Sequence, residues 1–212
     1  AALHAIAKIL AQPTDLRDGL DQILNEMHTR LGMQRGMISL FDREKNEVWL
    51  DIAHDVNIEG MDVTYKPGEG ITSEVAQSGR PMAVANLGHA KHFLDRTGAR
   101  RRLNRSELAF LCVPIMYDNQ VVGVLSADKV AREVEDLDKE LAMLAAVAQL
   151  IAKSVHIRAL EEENKRLKRL VGIPRAPSLD IIGHSKVMQD VFALVSQVAD
   201  SRTTVLITGE TG

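Results

Sequence analysis

Among 212 residues there is one cysteine, Cys112, with one tryptophan, two tyrosines and four phenylalanines. A single thiol excludes an internal disulfide and an all-cysteine metal site, and fits a reducing compartment, the cytoplasm. Aromatics at 3% leave the core to aliphatic side chains. Long hydrophobic runs are also scarce. The alanine-rich stretch from Leu141 to Ile151 is interrupted by Gln149 and falls short of the ~20 apolar residues of a bilayer span, so no membrane partner is expected. No basic segment followed by an apolar one opens the chain, as a secretory signal would require. Neither sign of charge dominates: 26 Lys and Arg stand against 29 Asp and Glu, a net −3. That balance argues against a general polyanion binder and leaves room for a local basic cluster.

What is present reads as an α+β protein. Hydrophobic residues at 45% and charged residues at 26% suit a packed globular chain. Leu3, Ile6 and Leu10, then Leu16, Leu20, Ile23, Leu24, Met27 and Leu31, recur at helical spacing. Asp15 is placed to cap the second helix and Gly32 to end it. From Met37 the period falls to two, and Asp42 to Glu47 forms a hairpin loop between strands around Ile38–Leu40 and Val48–Ile52. A short strand from Met61 to Tyr65 precedes the turn Pro67-Gly68-Glu69-Gly70 and a short helix from Ile71. Met82 to Ala85 reads as a further strand. Two longer ones, Leu108 to Tyr117 and Gln120 to Asp128, are joined by Asp118-Asn119. Asp136 and Asp138 then open a helix with no breaker before Gly172, about 36 residues or ~54 Å long. Gly172, Pro174 and Pro177 mark a hinge.

Tyr65-Lys66-Pro67-Gly68-Glu69-Gly70-Ile71, Ser78-Gly79-Arg80-Pro81, Leu111-Cys112-Val113-Pro114-Ile115 and Val121-Val122-Gly123-Val124-Leu125 resemble a GAF domain, the small-molecule sensing module of many signalling proteins. Such domains have a central antiparallel sheet flanked by helices. Asp180-Ile181-Ile182-Gly183-His184-Ser185, Met188-Gln189 and Thr204 to Gly212 resemble the start of the AAA+ domain of enhancer-binding proteins that activate sigma-54 RNA polymerase. The order is similar to that of NifA-type nitrogen-fixation activators. This resemblance implies a GAF sensory domain over 1–155, a coiled-coil linker helix and hinge over 156–177, and the beginning of an AAA+ domain over 178–212. Gly209, Glu210, Thr211 and Gly212 would open a P-loop, whose backbone N–H groups cradle phosphates. Its lysine and the catalytic groups lie beyond Gly212 in such a family, so this chain is expected to be no enzyme. ATP and Mg²⁺, sigma-54 RNA polymerase and enhancer DNA are then partners of the full-length activator. An alternative is the GAF regulatory domain of a cyclic-nucleotide-responsive signalling enzyme, and another is a ligand-free dimerisation module.

Several residues are candidates for a pocket between the sheet and the stretch Asn86 to Arg105. Arg96, Arg100, Arg101, Arg102 and Arg105 crowd into ten residues. Their guanidinium forks match carboxylate or phosphate, or else decorate a solvated loop. Thr72 and Ser73 offer hydroxyls at a helix N-terminus, and Ser39 and Ser126 interrupt apolar strands. Asn86, His92, Phe93 and Arg96 would close the site. Cys112 belongs to this set as a thiol able to hold a chromophore, while its apolar strand favours a buried core thiol. His89 and His92 lack cysteine or acidic companions, so no metal is expected there. The resemblance makes 2-oxoglutarate the first ligand and a cyclic nucleotide the second, with a regulatory protein as a possible partner. A heptad on the long helix places Leu150, Ile157 and Asn164 at a, and Leu160 and Leu167 at d, the pattern of a parallel homodimer.

Overall fold

The computed structural model describes residues 2–12, 14–134 and 136–170, with Met188 and Val191. The chain divides into two compact units, Ala1–Leu160 and Glu161–Gly212, and the first carries the sheet. The hinge over 171–177 lies outside the described residues, as does the segment 178–212 apart from Met188 and Val191; the P-loop residues Gly209 to Gly212 are within it.

In chain order the elements are α1 (Ala2–Leu10), α2 (Leu16–Leu31), β1 (Gln34–Asp42), β2 (Glu47–Ala53), β3 (Thr64–Tyr65), α3 (Gly70–Ser78), β4 (Met82–Val84), β5 (Leu108–Tyr117), β6 (Gln120–Val130) and α4 (Leu137–Leu170). The strands form one antiparallel six-stranded sheet in the order β3-β2-β1-β6-β5-β4, an α+β arrangement as the sequence predicts. The predicted caps are present. Asp15 Oδ1 accepts from the backbone N–H of Arg17 at 2.9 Å, and Gly32 closes α2 in the left-handed region. Asp118 and Asn119 both take positive φ, the twist a two-residue hairpin needs. The strand expected from Met61 begins only at Thr64, although the carbonyl of Val63 still accepts from the N–H of Leu50 at 2.9 Å.

One sheet face presents Ile38, Leu40, Leu111, Val113, Ile115, Leu125 and Ala127 to a cluster shared with Ile6 of α1, with Leu20, Ile23, Leu24 and Met27 of α2, and with α4. By length and composition alone, Leu137–Leu167 is apolar enough to cross a membrane, a property that core helices of folded domains share. Its apolar side has another use: Leu144, Val147, Ala148, Ile151, Ala152 and Val155 are all buried in this core. Asp136 caps the helix, with Oδ1 accepting from the N–H groups of Asp138 and Lys139. Further along, Arg158 clamps α4 to β2 through a fork on Asp51, at 2.9 and 3.0 Å, with both side chains nearly sealed from water. A charge pair so placed must stay intact, because loss of one partner strands the other without solvation.

Gly123 marks where β1, β6 and α4 converge. A Cβ there would stand 2.5 Å from the backbone oxygen of Ser39 and 3.2 Å from Val155 Cγ1. Backbone on one side and a packed helix on the other leave nothing to yield cheaply. Gly123→Ala is therefore expected to cost ~1–3 kcal/mol of unfolding free energy, read as a lower urea midpoint.

Candidate functional site

The opposite sheet face is lined by Phe41, Val48, Leu50, Phe110, Cys112 and Val124 and covered by α3 and the residues before β5. Strand register fixes what else lies there. Ser126 pairs with Cys112 and Asp128 with Phe110, while Ser39 pairs with Val124. Ser39, Cys112 and Ser126 therefore share this face, and all three are buried.

Near the end of β6 this face buries a carboxylate with no exposure at all. Asp128 accepts from Arg100 Nε at 2.6 Å and from Nη2 at 2.8 Å, and from Arg35 Nε at 2.6 Å. Arg100 also contacts Asp95: Nη1 lies 3.3 Å from Oδ1, and the backbone N–H donates to Oδ2 at 3.0 Å. Two guanidiniums and two carboxylates thus close a neutral cluster. Burial works against the charge on Arg100, but Asp128 and then Asp95 outweigh it and hold its pKa above the ordinary value. Its guanidinium carbon sits over Phe93 at 5.0 Å and Phe110 at 5.6 Å, and these rings meet edge to face at 4.9 Å. Arg105 covers Phe93 from 5.3 Å, with its Nε buried and free of hydrogen bonds.

Other predicted residues have local tasks. Ser73 is buried; its hydroxyl donates to the Lys66 carbonyl at 2.7 Å and accepts from Gln77 Nε2 at 3.0 Å, which ties α3 to the preceding turn. Thr72 lies within hydrogen-bonding reach of Cys112, whose thiol pKa burial pushes well up, so it is a poor nucleophile. Asn86 Oδ1 accepts from the Gly88 N–H at 2.8 Å. His92 is exposed, but its backbone oxygen lies close to Gly70. Arg96 pairs with Glu69 at 2.7 Å and lies 5.3 Å over the ring of Tyr65. The Lys66 N–H donating to Glu69, with Arg96 alongside, holds that carboxyl below the usual range. Burial raises the Tyr65 phenol.

The structure therefore brings Ser39, Thr72, Phe93, Cys112 and Ser126 to one side of the sheet, and it places Asn86, His92 and Arg96 at the rim. Sequence reasoning missed Asp128 and Asp95 as counter-ions, Arg35 as the second guanidinium, and Phe110. One signal was available: along β6 the alternation Val124, Ser126, Asp128 carries a carboxylate onto the inward face, opposite a run of arginines.

Residues 15–155 match the GAF domain model. The chain belongs to the GAF domain family. The GAF domain of nlh2 from A. aeolicus, crystallised in an inactive state, is similar with a TM-score of 0.66 and 27% identity, covering 74% of this chain and 94% of that one. A GAF domain from an Acinetobacter phosphoenolpyruvate-protein phosphotransferase shares the fold, with a TM-score of 0.60 at 21% identity over 77% of this chain and 95% of that one. Among whole proteins, the chain is similar to the nitrogen fixation protein AnfA of Azotobacter vinelandii, 34% identical over 99% of this chain and 41% of that protein. It is also similar to a Nif-specific regulatory protein of Azospirillum brasilense, 32% identical over 99% of this chain and 35% of that protein. The chain thus spans well under half the length of these curated relatives.

The Asp128 cluster and the Arg96–Glu69 pair differ in environment, and a stability measurement separates them. Asp128→Asn leaves Arg100 and Arg35 without their shared charge in a buried place and is expected to cost ~3–5 kcal/mol in chemical denaturation. Arg96→Ala opens only a half-exposed pair, worth ~0–1 kcal/mol.

Proposed function

We propose that this chain is the sensing and autoinhibitory region of a sigma-54-dependent transcription activator of the nitrogen-fixation type. The observation that carries the reading is similarity to AnfA and to Nif-specific regulatory proteins along essentially the whole chain, beyond the GAF domain and into 178–212. On this reading a metabolite or a regulatory protein acts on the GAF domain. The response travels along α4 to an AAA+ ATPase, which with ATP and Mg²⁺ remodels sigma-54 RNA polymerase at enhancer-bound DNA in the cytoplasm.

For a metabolite, 2-oxoglutarate is the first candidate and a cyclic nucleotide the second. Either anion would meet guanidiniums that already have partners: Arg100 holds Asp128 and Asp95, and Arg96 holds Glu69. Entry therefore means competing with Asp128 for Arg100, which favours a dianion over a neutral ligand. Calorimetry with 2-oxoglutarate on the chain and on Arg96→Ala tests this. Saturable heat, weakened in the variant, is the expected outcome. Absence of heat and of any thermal shift at millimolar 2-oxoglutarate, and then at millimolar cyclic nucleotide, would refute metabolite sensing. It would favour the second reading, a dimerising or protein-binding GAF module, which the side-chain-filled sheet face supports.

The homodimer rests on α4. Leu150, Ile157, Leu160 and Leu167 are 39–51% exposed, and Lys153 and Asn164 between them are exposed too. Together they trace the a and d positions, while the buried stripe of α4 meets the sheet. A helix apolar on two sides calls for two partners. Light scattering is expected to give a dimer at micromolar concentration, and Ile157→Asp with Leu160→Asp a monomer that keeps its circular dichroism. A monomeric parent chain at high micromolar concentration would remove the dimer from the proposal.

A further inference from the structure

Away from the buried arginine cluster, two imidazoles and a carboxylate converge where α2 ends and β2 exits the sheet. His28 Nδ1 lies 2.8 Å from Asp55 Oδ2, and His54 Nε2 lies 3.6 Å from Asp55 Oδ1. The two rings stand edge to face with centroids 5.7 Å apart. One donor atom from each of the three residues falls within 4.8 Å of the others. The backbone holds them there: the His54 N–H donates to the Gly36 carbonyl at 2.9 Å, and Asp55 takes φ +57°, a left-handed conformation that aspartate adopts more readily than most residues.

We propose that His28, His54 and Asp55 bind one divalent late transition-metal ion, with zinc(II) as the reference case. Three observations carry this. His28 Nδ1 is shielded from water and makes no properly directed hydrogen bond despite the close approach of Asp55. A neutral imidazole protonated on its other nitrogen would set a lone pair against the carboxylate's lone pairs, and a cation between them removes that repulsion. His28 also sits in the last turn of α2, where the negative end of the helix dipole favours positive charge. Finally, Asp21 Oδ1 lies 3.8 Å from His54 Nδ1. That distance is too long for a hydrogen bond, but closing it by less than an ångström would place a carboxylate on the far nitrogen, the arrangement that fixes the tautomer of a metal-bound histidine and leaves Nε2 to the ion.

The donor set selects the class of ion. Two imidazole nitrogens and one carboxylate oxygen suit zinc, cobalt, nickel or copper, whereas magnesium and calcium prefer all-oxygen shells. Ligation at ~2.0–2.2 Å draws donor atoms to about 3.3 Å apart, so the three must close by an ångström or so. Side chains of His28 and Asp55 at 40% and 50% exposure have room to do this, and solvent can supply a fourth ligand. A bound ion would pin the C-terminal turn of α2 to the end of β2.

The test is calorimetry of the chelator-stripped chain with zinc chloride, alongside visible absorption with cobalt(II). One ion per chain is expected, with affinity at least tenfold weaker in His28→Gln, in His54→Gln and in Asp55→Asn. His89→Gln, at an exposed position outside the cluster, should leave the affinity unchanged, and magnesium should give no heat. The cobalt(II) spectrum of the unmodified chain reads the ligand set without any substitution, so a variant that misfolds does not decide the matter. The proposal fails if zinc does not saturate, if cobalt(II) gives no imidazole-ligated spectrum, or if affinity survives the three substitutions. Any of these would leave the cluster as a set of surface ion pairs.

Discussion

The interaction on which the GAF face depends is the carboxylate of Asp128 held by Arg100 and Arg35. A charge with no access to water is tolerable only when its oxygens are fully engaged, and here three N–H donors from two guanidiniums converge on it. That requirement orders the surroundings. Arg35 must reach from the start of β1, and Arg100 must enter from the irregular stretch before β5. Phe93 and Phe110 must stand close enough to shield the guanidinium while offering it their ring faces. The stretch 86–107 has only two short helical turns of regular structure, so this pair and the packing of Leu87 and Phe93 are what fasten it to the sheet.

The same cluster explains why arginine density is a poor guide to an anion site. Five arginines within ten residues suggest an open cationic surface, yet the structure gives two of them internal carboxylates and lays Arg105 over a ring. Magnitudes separate their roles. The buried bidentate pair is structural because breaking it costs several kcal/mol, whereas the exposed Arg96–Glu69 pair costs little to open. A ligand entering this face would therefore meet the least resistance at the rim.

Legibility in the sequence followed the range of the interactions. Helix ends were readable because Asp15 and Gly32 act within a turn of themselves, and the β5–β6 hairpin because Asp118-Asn119 sets its own twist. The pairing of Asp128 with Arg100 and Arg35 was not, since it joins residues 28 and 93 positions apart and depends on which sheet face each one meets. Asp51 with Arg158, 107 positions apart, was hidden in the same way. The shared face of Ser39, Cys112 and Ser126 was half legible: alternation gives the side of each strand, but only the register brings them together. The apolar length of α4 did not by itself name its partner, because hydropathy cannot tell a helix facing lipid from one that covers a sheet.

What α4 covers is set by contacts near both ends of its packed segment. β6 carries Asp128 inward, and the next residue, Lys129, pairs with Glu140 in the first turns of α4. At the other end of the packed segment, Arg158 fixes the helix to β2, and Gly123 admits Val155 against the β1–β6 seam. The helix is therefore held at two separated points, to β6 and to β2, the strands on either side of β1. Asp128, the partner of Arg100, lies one residue from the first of those points. Between them Leu144, Val147, Ala148, Ile151, Ala152 and Val155 are buried in the core, and such packing resists smooth deformation of this segment.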